Sequence, residues 1–418
     1  MGSTIRRLMK FIVYPTFDYS SSQNYLFLNF TLIFKGYTGY KCLFIFDSNF
    51  KKRLHMNEEE KLKLAEKIRF AFLENKKEID LQIILDKFNN LEKLGVTNEF
   101  MELTIENEDF LIRINGNLWP PYTRNSETEG LEILSKYGIE HNVLVNGEGF
   151  QICKPFPKDM QLSQILKKND PKAILNSLTL AATEIANYHN ILLEQFSAIY
   201  PLEKMVNDVK NNLERKFTNF NPDAQDPRMV EAMEALQFLI RQCVKIPMVL
   251  QKCIKHKTFS QNDTIAPSIY IDSDRQKATL VDWEYAALGY WSNDLAILLT
   301  DLETEEQKSI LANAYHQART GVQAMMPEQQ TFELKINTLA YSFLRMGWAI
   351  NQNNLLKFIP IINELIEQLE TVSSQINLLF MPGTMGFFSP SPISEEPYVP
   401  DRKEAANPSI LLRNDNNK

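Results

Sequence analysis

Long apolar runs are missing from this 418-residue chain. The most apolar stretch, residues 25–34, is interrupted by Asn29 and followed by Lys35 and Lys41, whereas a membrane-spanning helix needs roughly 20 apolar residues. The first apolar run, residues 11–14, is too short for a secretory signal and precedes no small-residue cleavage site. Paired cysteines are missing too. Cys42, Cys153, Cys243 and Cys253 are scattered without a CxxC, which excludes a disulfide framework and an obvious zinc site and fits reduced thiols in a cytosol. The five histidines are isolated, with no HExxH. A basic stripe with interleaved aromatics is absent and the net charge is -7, so nucleic acid is not an expected partner. What remains is a cytoplasmic globular chain of ordinary composition. It is long enough for two domains or one bilobal unit with a sizeable core.

Two further absences divide the chain. Residues 1–55 hold 13 aromatics and no glutamate, and at Met56 the text becomes an acidic amphipathic helix start. Two readings of 1–55 stand: text upstream of the natural start at Met56, or a small β-rich appendage. No glycine occurs between Gly149 and Gly289, a stretch of mostly helical periodicity in which Leu178, Ala182, Ile185, His189 and Leu192 share one face. Before it, the pattern predicts strands over 99–105 and 110–114 around a turn at 107–109, a helix over 125–137, strands over 142–145 and 149–153, and a connector at 154–157. After it come helices over 223–254, 294–321 and 333–376, the last broken near Pro360. A hairpin, 268–272 with 278–282, interrupts the helices. Six of the 19 prolines fall in the last 37 residues, a tail expected to be disordered. The expected division is 1–55, a nucleotide-binding lobe at 56–157, a helical lobe at 158–380, and the tail at 381–418.

Chemistry concentrates at two aspartates 19 residues apart. Asp263 precedes one β-like run and Asp282 closes another. Phosphoryl transfer from ATP needs one carboxylate to orient a substrate hydroxyl and another to hold Mg²⁺. Asp263 alone would read as a turn-forming Asn-Asp; paired with Asp282 it reads as the base, with Asp282 as metal ligand. Ser268 occupies the place of a second metal ligand, a hydroxyl where an amide carbonyl would bind better. Glu284 either adds to the site or pairs locally. Arg113, a cation inside an apolar strand, either points to water or reaches ATP phosphates while paired to a helix carboxylate. Glu127 is first choice for that partner and Glu129 the fallback. Gly95, Thr97 and Asn98 form a small-residue loop able to turn backbone N–H groups toward phosphate. Trp348 is either core or a π-face for a cationic headgroup.

In order, these segments resemble the choline/ethanolamine kinase family, particularly its bacterial LicA-like branch, within the wider aminoglycoside-phosphotransferase group. Gly95-Val96-Thr97-Asn98 is similar to its Gly-Gly-x-Thr-Asn loop, Arg113 to the ATP-contacting strand cation, and Val281-Asp282-Trp283-Glu284-Tyr285-Ala286 to its Ile-Asp-Phe-Glu-Tyr-Ala. Asn293-Asp294-Leu295-Ala296 is similar to the Asp-Leu-Ala that follows. The resemblance spans residues 90–352. It implies an α+β, bilobal protein-kinase-like fold with a small β-rich N-lobe and a large helical C-lobe. It also implies ATP and Mg²⁺ as cofactors, and choline, ethanolamine, another small alcohol or an aminoglycoside as acceptor. A pseudokinase that binds nucleotide without turnover is the alternative. Three departures mark the sequence. Gln261 replaces a histidine and is expected to lose a structural contact. Ser268 replaces the metal-binding asparagine. Arg345 stands where the family often has a second tryptophan beside Trp348, and would repel a quaternary ammonium if it faced the pocket. The sequence does not specify oligomeric state.

Overall fold

The computed structural model describes residues 29–34, 37–43, 56–88, 91, 98–116, 118, 122–193, 195–218, 227–254, 257–319, 327–350 and 352–379. Gly95, Thr97, the 381–418 tail and most of 1–55 lie outside them. Within 1–55, strands β1 (Asn29–Phe34) and β2 (Tyr37–Leu43) pair antiparallel. Helix α1 (Glu58–Glu74) begins with Asn57 and Glu60 exchanging side-chain and backbone hydrogen bonds, a capping box that the acidic first turn reinforces. α2 (Leu81–Phe88) follows.

The small lobe is built on a four-stranded antiparallel sheet. Its strands are β3 (Glu99–Ile105), β4 (Glu108–Ile114), β5 (Val143–Gly147) and β6 (Phe150–Cys153), in spatial order β3-β4-β6-β5. The β3–β4 turn falls at Glu106 and Asn107, both at positive φ (52° and 65°), and Asp109 lies in β4 rather than in the expected turn. The lobe's core joins Ile68 and Phe72 of α1 to Leu103, Phe110, Ile112 and Ile152 of the sheet.

Helix α3 (Arg124–Lys136) starts at the expected place, capped reciprocally by Thr123 and Ser126. Its Leu131 and Leu134 belong to the core of the large lobe, so α3 bridges the two. Gly130 makes that approach possible: a Cβ there would stand 3.0 Å from Ala286 Cβ. Glu140, just past α3, pairs with Lys277 at 2.8 Å across the lobes.

The large lobe comprises α4 (Leu162–Lys167), α5 (Pro171–His189), α6 (Leu202–Phe217), α7 (Pro227–Cys243), α8 (Ile246–Cys253), two short hairpin-like pairs, and the later helices. β7 (Thr258–Ser260) pairs antiparallel with β10 (Ala287–Gly289), and β8 (Ile269–Asp272) with β9 (Lys277–Leu280). α9 (Trp291–Leu299), α10 (Glu305–Ala318), α11 (Pro327–Ala349) and α12 (Ile359–Leu379) complete it. α5 buries Leu178, Ala182, Ile185 and His189 as expected, but ends at His189, and Leu192 beyond it is exposed. Three long predicted helices are each two. Pro247 starts α8, Thr304 caps α10, and the last break precedes Pro360, which sits in the first turn of α12 where a missing N–H costs nothing. No helix among the described residues is long and apolar enough to cross a membrane.

Candidate active site

Two loops form the floor of the site, and buried α9 pins one of them. Asp294, fully buried, accepts the backbone N–H of Gln261 (3.0 Å) and Asn262 (2.7 Å), the Tyr188 hydroxyl (2.8 Å), and the His189 ring at 3.1 Å. Burial opposes its charge, but these bonds, His189 foremost, hold its pKa below the ordinary value. Burial also lowers the His189 pKa, so a neutral ring donates from Nε2 to Asp294 while Nδ1 accepts from Tyr315 at 2.8 Å. Asn262 takes φ 65°, and its side chain bonds Ser260, Tyr285 and Asn293. Gly289 leaves room for it, since a Cβ there would lie 2.8 Å from Asn262 Oδ1.

The loop so fixed presents Asp263. Its carboxylate makes no hydrogen bond among the described residues, and burial, Glu284 and Asp301 push its pKa up to about 7. Gln261 turns inward instead. Its Nε2 donates to the carbonyls of Val281 (2.6 Å) and Asp282 (3.1 Å), and its Oε1 accepts from Thr264 (2.8 Å). The expected loss of contact at this position is therefore overturned, because the glutamine amide itself ties the Asp263 loop to the Asp282 loop.

Asp282 stands two residues past β9, not at a strand end, with φ 65°. Although 37 % of its side chain is exposed, the burial of the surrounding site, then Glu284 and Asp263, raise its pKa well above the ordinary value against the pull of Arg113. Ser268 closes the 3-10 turn Ala266–Ser268, and its carbonyl accepts Val281 N at 3.0 Å, which sets it beside the Asp282 loop. Its hydroxyl has no partner among the described residues.

The small lobe supplies the roof. Arg113 on β4 donates to Glu127 Oε1 (2.5 Å), Asp282 Oδ1 (3.3 Å) and Asn115 Oδ1 (3.0 Å). Burial disfavours its charge, but Glu127, Asp282 and Glu284 outweigh this and raise its pKa. Gln151 on β6 adds a bond to Glu127 Oε1 at 3.1 Å. Glu129 instead binds the backbone of Ser197. Asn98 donates to Glu284 Oε2 at 2.7 Å, so Glu284 is tied to the roof. Arg124, which the sequence did not single out, joins Glu127, Glu284, Asn98 and Gly116; its only signal was being a cation in a helix's first turn. Asp294 also carried no assigned role beyond its place in a motif.

The structure thus brings Asn98, Arg113, Glu127, Asp282 and Glu284 into one bonded network, joined through Gln261 to the Asp263 loop, with Ser268 alongside. Trp348 lies on α11, its side chain outside the described residues. Arg345 donates to Asp301 Oδ1 (3.1 Å) and Thr300 Oγ1 (2.7 Å), and Asp301 accepts Ala266 N at 2.8 Å. Its charge is therefore paired with a carboxylate.

The oxygen-rich floor fits a hard divalent cation. Asp282 and Asp263 repel each other and Glu284, which a cation would relieve, and the Ser268 hydroxyl is uncommitted. Among the described residues no cluster of three or more His, Cys, Asp or Glu could hold a metal alone.

Solved structures of known proteins resemble this chain. A choline kinase from Cryptosporidium parvum Iowa II superposes with TM-score 0.50 at 16 % identity, covering 70 % of this chain and 92 % of that one. A choline/ethanolamine kinase family protein from Mesorhizobium loti gives 0.46 at 17 % identity, covering 72 % and 91 %. The choline kinase LicA from Streptococcus pneumoniae gives 0.47 at 13 %, covering 69 % and 98 %. None of the curated protein sequences matches. Residues 90–333, more than half the chain, match the family described as choline/ethanolamine kinase, and with its bilobal kinase-like fold the chain belongs to that family of small-molecule kinases.

Proposed function

We propose that the chain transfers the γ-phosphoryl group of ATP to the hydroxyl of a small alcohol, choline or ethanolamine first among them. The observation that carries this reading is the Asp263 carboxylate. It follows two backbone amides held by Asp294, lacks a hydrogen-bond partner among the described residues, and lies within electrostatic reach of Asp282 and Glu284. Asp263 accepts the acceptor's hydroxyl proton as the alcohol oxygen bonds to the γ-phosphorus and the bond to the β-phosphate oxygen breaks, releasing ADP. Arg113, oriented by Glu127, would hold phosphate oxygens, with Asn98 nearby; Gly95 and Thr97, expected beside them, lie outside the described residues. Asp282 and Ser268 would hold Mg²⁺, which neutralises phosphate charge when bound.

The acceptor assignment draws on the family to which the chain belongs. Arg345, paired with Asp301, also acts on Asp263, and its charge counts against a quaternary ammonium. A nucleotide-binding protein without turnover is the second reading, favoured by the uncharged hydroxyl of Ser268 at a metal position.

ADP release by the purified full chain should be measured with MgATP against choline, ethanolamine, other small alcohols and aminoglycosides. Turnover with choline or ethanolamine is expected, with Asp263→Asn lowering kcat by roughly 10²–10⁴-fold at unchanged nucleotide affinity. Nucleotide binding without turnover on any acceptor would establish the second reading.

A further inference from the structure

We infer that Arg124 is a positioning residue that locks the phosphate end of the site, a role that rests on the phosphotransferase reading above. Arg124 is the first residue of α3, where a cation opposes the helix dipole, so its identity asks for a reason outside the helix. Its guanidinium reaches four segments of the chain. Nη1 donates to Glu127 Oε2 (2.8 Å) on α3 and Glu284 Oε2 (3.3 Å) on the Asp282 loop. Nη2 donates to Asn98 Oδ1 (2.8 Å) before β3 and the Gly116 carbonyl (2.9 Å) after β4. The ring closes on itself, because Asn98 Nδ2 donates to the same Glu284 oxygen (2.7 Å) and Gly116 N to Asn98 Oδ1 (3.3 Å). Nε is buried without a partner among the described residues.

The side chains of Glu127 and Glu284 are 2 % and 3 % exposed, and carboxylates so enclosed need cations. Arg113 serves one oxygen of Glu127 and one of Asp282; Arg124 serves the second oxygen of Glu127 and neutralises Glu284. Two arginines thus share one carboxylate, and each is fixed by the other's hold on it. Loss of Arg124 removes one cation that faces both Glu284 and Glu127 and one of the bonds that orient Asn98. A lysine restores the charge but not the planar fork that meets two carboxylates, an amide and a carbonyl at once.

The test is calorimetric titration of the full chain with MgATP, for wild type, R124Q, R124K and the double variant R124Q/E284Q, with thermal unfolding as a check of fold. Nucleotide Kd is expected to rise about tenfold or more in R124Q and to be recovered only partly in R124K. The double variant should bind no worse than R124Q, because the coupling is already lost. In steady state the nucleotide KM should rise more than kcat falls. A folded R124K or R124Q that binds nucleotide within twofold of wild type overturns the role of Arg124, while wild-type turnover leaves the phosphotransferase reading standing. A wild type that binds nucleotide without phosphoryl transfer, with R124Q and R124K weakened, sinks that reading and keeps the positioning role in binding.

Discussion

Asp263 sits where burial, Glu284 and Asp301 all oppose its ionisation, and its pKa rises to about 7. A base must be ionised to accept a proton, so protonation removes activity. At limiting nucleotide and acceptor, where kcat/KM reports the free protein, the rate should fall about tenfold per pH unit below pH 7. A profile flat down to pH 5 would remove Asp263 from the role of base. Ser268 offers a second test at this scale. Ser268→Asn supplies an amide carbonyl beside Asp282, and the Mg²⁺ concentration giving half-maximal rate should drop; an unchanged requirement would separate Ser268 from the metal. Sequence reasoning singled these residues out because they stand in short local motifs. It misjudged Gln261, since a glutamine's value depends on which carbonyls stand opposite it, and those of Val281 and Asp282 lie 20 and 21 residues away.

At the scale of elements, α9 and α3 hold the two halves of the site. Asp294 on α9 accepts two backbone N–H groups, a hydroxyl and a ring nitrogen, all buried. Asp294→Ala would orphan them together and should cost roughly 3–5 kcal/mol in chemical denaturation, with activity lost in whatever fraction still folds. A midpoint near that of wild type would show that the loop is held by other means. α3 bridges the lobes through Leu131, Leu134 and the close approach of Gly130 to Ala286, which brings Glu127 and Arg124 over the Asp282 loop. The start of α3 and the partner of Arg113 were legible from caps and helical spacing. The break near Pro360 was legible too, but those at Thr304 and Pro247 were not, because these read as interior residues until packing turns the chain there.

For the whole molecule, His189 contributes to acid stability, alongside His141 and His316, whose pKa burial also lowers. The folded pKa of His189 lies below the ordinary 6.5 because burial disfavours its charge, so the unfolded chain binds more protons as pH falls. The stability it contributes is complete above pH 6.5 and is lost as pH drops through the folded value. The thermal midpoint should therefore decline on acidification below about pH 6.5, and His189→Gln should flatten that decline; an identical slope in the variant would move the cause elsewhere. By itself the sequence determined the family and the bilobal α+β class, and it singled out Asn98, Arg113, Glu127, Asp282 and Glu284, because those follow from short-range patterns and residue chemistry. Only the tertiary structure decided which oxygen meets which nitrogen. Asn98, Arg113, Arg124, Asp282 and Glu284 lie up to 186 residues apart along the chain, and their pairing is set by how α3 packs against the Asp282 loop, a long-range contact that no local pattern encodes.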